Sequence, residues 1–211
     1  MQNTLKLMLK RLKSTLQKPG ALWSLPAFFM LLLSFQILSS EKQLSYECPQ
    51  TFAEEHIYQH TAYTFSYNET HEQANWVAYL LTRAHLNGGE ERTDHFVEDP
   101  LVLTGTAGAQ DYAKSGYDRG HLAPAADMSW SEKAMQESFY YSNMSPQLPG
   151  FNRGIWKRLE EQVRSWAAQL DSLYIITGPV LGPQLIKIGP NGVSVPKYYF
   201  KALVSVKAKK G

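Results

Sequence analysis

The clearest helical hydrophobic period of this 211-residue chain lies in one stretch of its second half. In Asn152–Asp171 (NRGIWKRLEEQVRSWAAQLD), Ile155, Leu159, Val163 and Trp166 fall on one stripe and charges fill the other side. That is the pattern of a surface helix laid on a core. Around it the runs are short and strand-like. Tyr63, Phe65 and Tyr67 alternate with Thr64 and Ser66, and Trp76–Thr82 (WVAYLLT) follows after polar residues 68–75, which predicts a hairpin. Leu173–Thr177 (LYIIT) reads as a buried strand closed by Gly178-Pro179, and Val193–Val206 reads as another strand. Gly88–Asp99 is polar loop, and Ser131–Phe139 has helical character. One dominant helix among strands predicts an α+β domain. A hydrophobic content of 44% gives such a domain a sufficient core.

Charge is distributed unevenly. Residues 1–40 hold Lys6, Lys10, Arg11, Lys13 and Lys18 and no acid, which leaves 16 basic against 19 acidic residues beyond them, net −3. From Pro19 to Ser40 no residue is charged, and Leu25–Leu33 (LPAFFMLLL) is unbroken apolar sequence. A basic flank before such a stretch predicts a signal peptide or an N-terminal membrane anchor, with residues 1–18 held inside and the rest exported. If uncleaved, residues 19–40 would engage a membrane. Leu5, Leu9, Leu12 and Leu16 share one helical face among lysines, so a mitochondrial presequence is the alternative address. The acidic body excludes a broad, non-specific nucleic-acid coat but not a local basic groove. Residues 41–60 read as a linker, and residues 61–211 as the folded domain.

Cys48 is the sole cysteine, so no internal disulfide and no cysteine-based zinc site can form. Of six histidines, His56, His60, His71, His85 and His95 lie in polar stretches and read as solvated surface groups. His121 differs. It sits in Gly116–Met128 (GYDRGHLAPAADM), two residues after Arg119, with Gly120 between them and small residues following. Imidazole takes up a proton near neutrality, and a guanidinium beside it favours the neutral, basic form. Arg119 is also suited to hold a phosphate. The glycine would let some other group approach the backbone.

A second polar cluster follows in Tyr141–Gln147 (YSNMSPQ) and Phe151–Arg164 (FNRGIWKRLEEQVR). Successive i,i+4 steps drift slowly around a helix, so Asn152, Trp156, Glu160 and Arg164 would form one gently rotating row. A carboxamide oxygen suits a magnesium ion that keeps most of its waters. The plainer reading makes Asn152 a helix cap and Glu160–Arg164 an ordinary surface pair.

The two clusters together resemble the core of the DNA/RNA non-specific endonucleases, the ββα-metal nucleases that include the endonuclease G-like enzymes. The similarity is close from Tyr117 to Arg164, through DRGH and the YSN…PQ…N…W…LE string. It is looser back to Trp76 and forward through Ile176–Pro179 (ITGP) to Val195–Val204 (VPKYYFKALV). The resemblance implies a mainly antiparallel sheet with a catalytic helix and a hydrolase acting on phosphodiester bonds of DNA and RNA to leave 5′-phosphate ends. It implies His121 as general base and Asn152 as the one direct protein ligand of a hydrated Mg2+ or Mn2+. Glu160 would order the metal's waters, Arg119 and Arg164 would sit near the phosphate, and Asn143 would hold the geometry. Arg92, Arg153 and Lys157 would bind substrate, with Arg119, Arg153, Lys157, Arg158 and Arg164 lining one groove. Homodimers are expected from the same likeness.

The chain ends at Lys207–Gly211 (KAKKG), where family members usually continue, so a C-terminal truncation is expected, with Val193–Val206 left as an unpaired edge. Two alternatives to an exported nuclease follow. One is a catalytically silent nucleic-acid-binding protein, and the other is a mitochondrial enzyme of the endonuclease G type.

Overall fold

The computed structural model describes residues 55–205. The expected signal or anchor segment 1–40, most of the linker and the final KAKKG lie outside the described residues. Among those described, no helix is long and apolar enough to cross a membrane.

The core is a five-stranded sheet in the order β1-β2-β3-β6-β9, antiparallel throughout. Its strands are β1 (Ile57–Gln59), β2 (Thr64–Asn68), β3 (Gln73–Thr82), β6 (Ser172–Pro179) and β9 (Tyr199–Ser205). The expected hairpin is β2–β3, with a register shift between Ser66 and Tyr67. Tyr63, Phe65, Val77, Tyr79, Leu81, Leu173 and Ile175 are buried together, as alternation in the three inner strands requires. β6 runs on through Gly178 and Pro179, which still pair with Phe200 and Tyr199. Pro179 lies at the strand's end, where a missing N–H costs least.

The strand expected over Val193–Val206 is two strands. β8 (Val193–Ser194) pairs with β7 (Lys187–Ile188) in a separate ribbon, and β9 starts only at Tyr199. Pro196 lies in the gap. It has no N–H for a ladder and biases the residue before it, so continuous pairing breaks there. β9 pairs with β6 on one side and forms an edge of the sheet among the described residues.

β4 (Asp118–His121) and β5 (Met144–Gln147) form an antiparallel ribbon, with Gly120 opposite Ser145 and His121 opposite Met144. Earlier comes the single turn α1 (Ala109–Tyr112), and between the ribbon strands lies α2 (Glu132–Glu137). The Ser131 side chain caps α2 by accepting from the Ala134 N–H. The long helix α3 (Lys157–Leu170) follows β5, so ribbon and helix make a strand–strand–helix unit against the sheet.

The helix expected from Asn152 begins differently. Phe151–Trp156 is a wide π-helical turn in which Gly154 takes φ −103° and ψ −106°, outside the helical region. Regular α-helix starts only at Lys157 and ends at Asp171, whose φ of 75° reverses the chain. Of the expected stripe, Val163 is buried and Leu159 packs against the core. Trp156 and Ala167 beside them are buried as well, while Ile155, in the wide turn, is 56% exposed and Trp166 is 38% exposed.

Candidate active site

Arg119 and His121, two apart on β4, both line a cleft of about 490 Å3. α3 and its wide first turn supply the facing wall with Asn152, Arg153, Lys157, Glu160 and Arg164, Arg92 reaches in from its loop, and Pro124–Ala126 close the end. Eight of the nine expected site residues thus meet in one cavity, and the ninth, Asn143, is fully buried behind it. The polar members of the expected row share the cleft, but Trp156 turns into the interior. Arg158, expected along the groove, is exposed and does not line the cleft.

His121 is 8% exposed. One ring nitrogen hydrogen-bonds the Arg119 backbone, while Nε2 has no partner among the described residues. A donor bond to the Arg119 carbonyl would leave the Nε2 lone pair as the free basic site. Burial, then the positive charges of Arg92 and Arg119, push the imidazole down to about 3, against the weaker opposing effect of that backbone bond. It is therefore neutral at physiological pH. Phe96 and Phe139 meet the ring edge-on at 5.8 and 5.0 Å between centroids and fix its plane.

The same two phenylalanines seat the cations. The Arg119 guanidinium lies 3.9 Å from the centre of the Phe96 ring, and that of Arg92 4.8 Å from Phe139. Arg92 Nε also donates to Asp94 Oδ1 at 2.6 Å. A second recess of about 350 Å3 shares Arg92, Arg119 and Asn152 with the cleft and extends along Tyr112, Tyr117 and Asp118.

Asn152 does not cap a helix. Its Nδ2 donates to Asp118 Oδ2 at 3.0 Å, and an acceptor-only carboxylate fixes which end of the amide faces it. Oδ1 is thereby the end left for other partners. Arg153 grips the same carboxylate through Nε at 2.8 Å and Nη2 at 2.6 Å, and that grip, ahead of the Asn152 bond, holds the Asp118 carboxyl below its usual range. Among the described residues no group of three or more His, Cys, Asp or Glu side chains could cage a metal ion. One carboxamide oxygen with the Glu160 carboxylate in the same cleft fits instead a hard cation that keeps most of its waters.

Glu160 and Arg164 do not pair with each other. Arg164 Nη1 donates to Asp127 Oδ1 at 3.0 Å, and the Tyr79 hydroxyl donates to Asp127 Oδ2 at 2.8 Å. Burial raises Glu160 to about 7, opposed chiefly by Lys201. Asn143 accepts from the Ala123 N–H at 2.8 Å and donates to the Ala123 and Ser138 carbonyls at 2.9 and 2.8 Å. It clamps the backbone just after His121.

What approaches Gly120 is a side chain. A Cβ there would lie 2.3 Å from Gln147 Cδ and 2.6 Å from its Cγ. His60 also departs from expectation. It is buried, with Nε2 2.7 Å from Asp99 Oδ2, and Ser142 donates to the same oxygen at 2.5 Å. Sequence reasoning gave no role to Asp118, Asp127, Lys201 or Phe96 and missed the buried place of His60. Their partners lie tens of residues away, so no local spacing marks them.

Known proteins carry the same arrangement of sequence. A model of the DNA/RNA non-specific endonuclease family matches residues 40–211. The chain is similar to mitochondrial nuclease EXOG of Danio rerio, at 37% identity over 75% of this chain and 49% of that protein. It is similar to human mitochondrial endonuclease G at 39% identity, over 68% of this chain and 52% of the other. A nuclease of Nostoc sp. is 39% identical over 67% and 52%. Among solved structures, a chain of an EndoG/EndoGI complex superposes with a TM-score of 0.67 at 32% identity, over 72% of this chain and 68% of that one. The chain spans about half the length of the curated relatives it matches. With cleft, strand–strand–helix unit and these likenesses in agreement, the chain belongs to the DNA/RNA non-specific endonuclease family.

Proposed function

We propose that the chain is a metal-assisted endonuclease that hydrolyses phosphodiester bonds of DNA and RNA with little sequence preference. The observation that carries this reading is the shared cleft. A neutral imidazole with a free Nε2 and an oriented carboxamide line it together, among five Arg and Lys side chains and one carboxylate.

Arg92 and Arg119, seated on Phe139 and Phe96, receive the phosphodiester. Its negative charge offsets the two cations that depress His121, so the base grows stronger once substrate arrives. His121 Nε2 then takes a proton from the attacking water, and its bond to the Arg119 backbone keeps the ring aligned. Asn143 holds the strand end behind the ring. Asp127 keeps Arg164 extended toward the developing charge on the phosphate. Asn152 Oδ1 would hold a hydrated Mg2+ or Mn2+, with Glu160 ordering its waters; such an ion supplies Lewis-acid stabilisation of the leaving 3′ oxygen. Products with 5′-phosphate ends follow. Recognition through phosphate and backbone shape reads no bases, and it makes cleavage fall steeply with salt.

The basic and then apolar start of the sequence supports export, as a cleaved signal or an anchor through residues 19–40, with a mitochondrial presequence as the alternative. The name "mitochondrial" carried by two of the relatives above favours that alternative. Sequencing of the mature N-terminus separates cleavage from anchoring: a start near Glu41 means cleavage, and an intact Met1 means an anchor. Homodimerisation is part of the same proposal and is read by sedimentation.

Plasmid and RNA digestion with Mg2+, and again with chelator, tests the activity. Cleavage that depends on the metal and disappears in His121→Ala is expected. Equal cutting by parent and variant would remove the catalytic assignment.

A further inference from the structure

The tight turn between β1 and β2 grips two segments that lead to the cleft. His60 N donates to the Tyr63 carbonyl at 2.8 Å and closes that turn. The His60 ring points inward, Nε2 lying 2.7 Å from Asp99 Oδ2, and the Ser142 hydroxyl donates to the same oxygen. An ionised carboxylate only accepts, so Nε2 carries the hydrogen. Thr61 takes hold of the other segment, donating to Glu137 through its N–H at 2.7 Å and its hydroxyl at 3.1 Å. Serine, histidine and aspartate together suggest a hydrolytic triad, but their order is wrong for one. Ser142 and His60 both meet the carboxylate, and both Ser142 and Asp99 are buried, so no nucleophile is made.

The two gripped segments are laced to each other and each carries a ring of the site. The Val97 N–H donates to the Phe139 carbonyl at 3.3 Å, and the Tyr141 N–H to the Val97 carbonyl at 2.9 Å. Phe96 lies three residues before Asp99, and Phe139 three before Ser142. Their rings meet edge-on at 5.0 Å, seat Arg119 and Arg92, and wall His121. We propose that His60, pinning Asp99 against Ser142, is a positioning residue for this site: it sets the places of the Phe96 and Phe139 rings from behind. Its own ring has little freedom, stacked on Phe65 at 5.6 Å and flanked by Tyr63 and Tyr140 at 5.0 and 4.9 Å. Without the imidazole, Asp99 would keep only Ser142 and the Leu101 N–H at 2.9 Å. A buried carboxylate short of donors turns toward water and draws its segment with it.

What the placed rings accomplish rests on the nuclease reading; that His60 places them does not. The test uses the full chain labelled with 4-fluorophenylalanine, free of metal and substrate. 19F NMR follows Phe96 and Phe139, assigned with Phe96→Leu and Phe139→Leu. Two amides of like polarity then separate the links. His60→Gln puts a donor near the place of Nε2, whereas His60→Asn puts one near Nδ1, out of reach of Asp99. His60→Asn is expected to shift or broaden both ring signals in protein that circular dichroism shows to be folded, while His60→Gln keeps them at the parent positions. In cleavage assays with Mg2+, His60→Asn should lower kcat/KM about ten-fold per folded molecule, and His60→Gln should recover most of it. Ring signals unmoved by His60→Asn overturn the proposal. So do two amides that behave alike, since a role in stability alone does not tell Nε2 from Nδ1. If His60→Asn fails to fold, Ser142→Ala removes the other hold on Asp99, and ring signals unmoved there overturn it equally. Ring signals that follow His60 in a chain without cleavage would instead sink the nuclease reading and leave the placement standing.

Discussion

Arg164 and Asp127, 37 residues apart in sequence, meet at 3.0 Å under the cleft, and the Tyr79 hydroxyl holds the second carboxylate oxygen at 2.8 Å. Asp127 is 1% exposed. Its removal would strand both a guanidinium and a phenol. Asp127→Ala is expected to cost about 3 kcal/mol in urea unfolding, as for one partner lost from a buried pair. Cleavage should also fall, through kcat, because Arg164 loses its aim.

His121→Asn has two separable consequences. Loss of the proposed general base should lower cleavage by about two orders of magnitude or more. The second concerns stability. The folded imidazole titrates near 3, below its ordinary 6.5, so between those values the unfolded chain binds a proton that the folded chain refuses. The stabilisation is complete above pH 6.5 and is lost progressively as pH falls toward 3. The variant's Tm should accordingly decline less than the parent's over that window in calorimetric scans. An identical decline would show that the ring is not buried neutral.

Gly120→Ala tests the close approach inside DRGH. The new Cβ would overlap Gln147, a side chain only 1% exposed and flanked by the ribbon's own backbone. Overpacking of this kind costs about 1–3 kcal/mol. Because Gly120 separates Arg119 from His121, activity should fall with stability. Chemical denaturation and initial rates measured on one sample decide whether both move.

Asn152→Ala should weaken Mg2+ binding and with it cleavage, with partial rescue at high Mn2+, since the oxygen suited to the ion is gone while Glu160 stays. Asp118→Ala should act in the same direction but more mildly, because it only frees the carboxamide that Asp118 orients at 3.0 Å. Titrations of rate against metal concentration separate the two: the apparent metal affinity should fall further in Asn152→Ala. If Asp118→Ala left that affinity unchanged, the latch would have no role in holding the ion.

The sequence carried much of this in plain view, and the reasons for the remainder are physical. Arg119, His121, Asn152, Glu160 and Arg164 could be named before any fold was known because the DRGH and YSN…PQ…N…LE strings resemble those of a known family; local spacing by itself left Asn152 a helix cap and Glu160–Arg164 a surface pair. Asp127, Lys201 and Phe96 act across elements, and nothing in their local spacing differs from ordinary core or surface residues. His60 sits in a polar stretch yet is buried because Asp99, itself held by the Ser142 hydroxyl, arrives from 39 residues away to satisfy it. Leu159 and Val163 of the expected apolar stripe do face the core, but Ile155 is exposed because it falls in a wide turn that a uniform 3.6-residue count does not anticipate. Pro196, in contrast, did announce a break within Val193–Val206; the β-rich residues around it obscured the signal.

The wide turn at Phe151–Trp156 also sets a length rule for the chain. It works as a spacer whose one surplus residue dials Asn152 to face Asp118 while Glu160 and Arg164, beyond it, keep their own bearing. Shortening the segment by a single residue would restore an ordinary coil and swing Asn152 through about 100°. Substitutions in this turn can thus be absorbed far more readily than deletions.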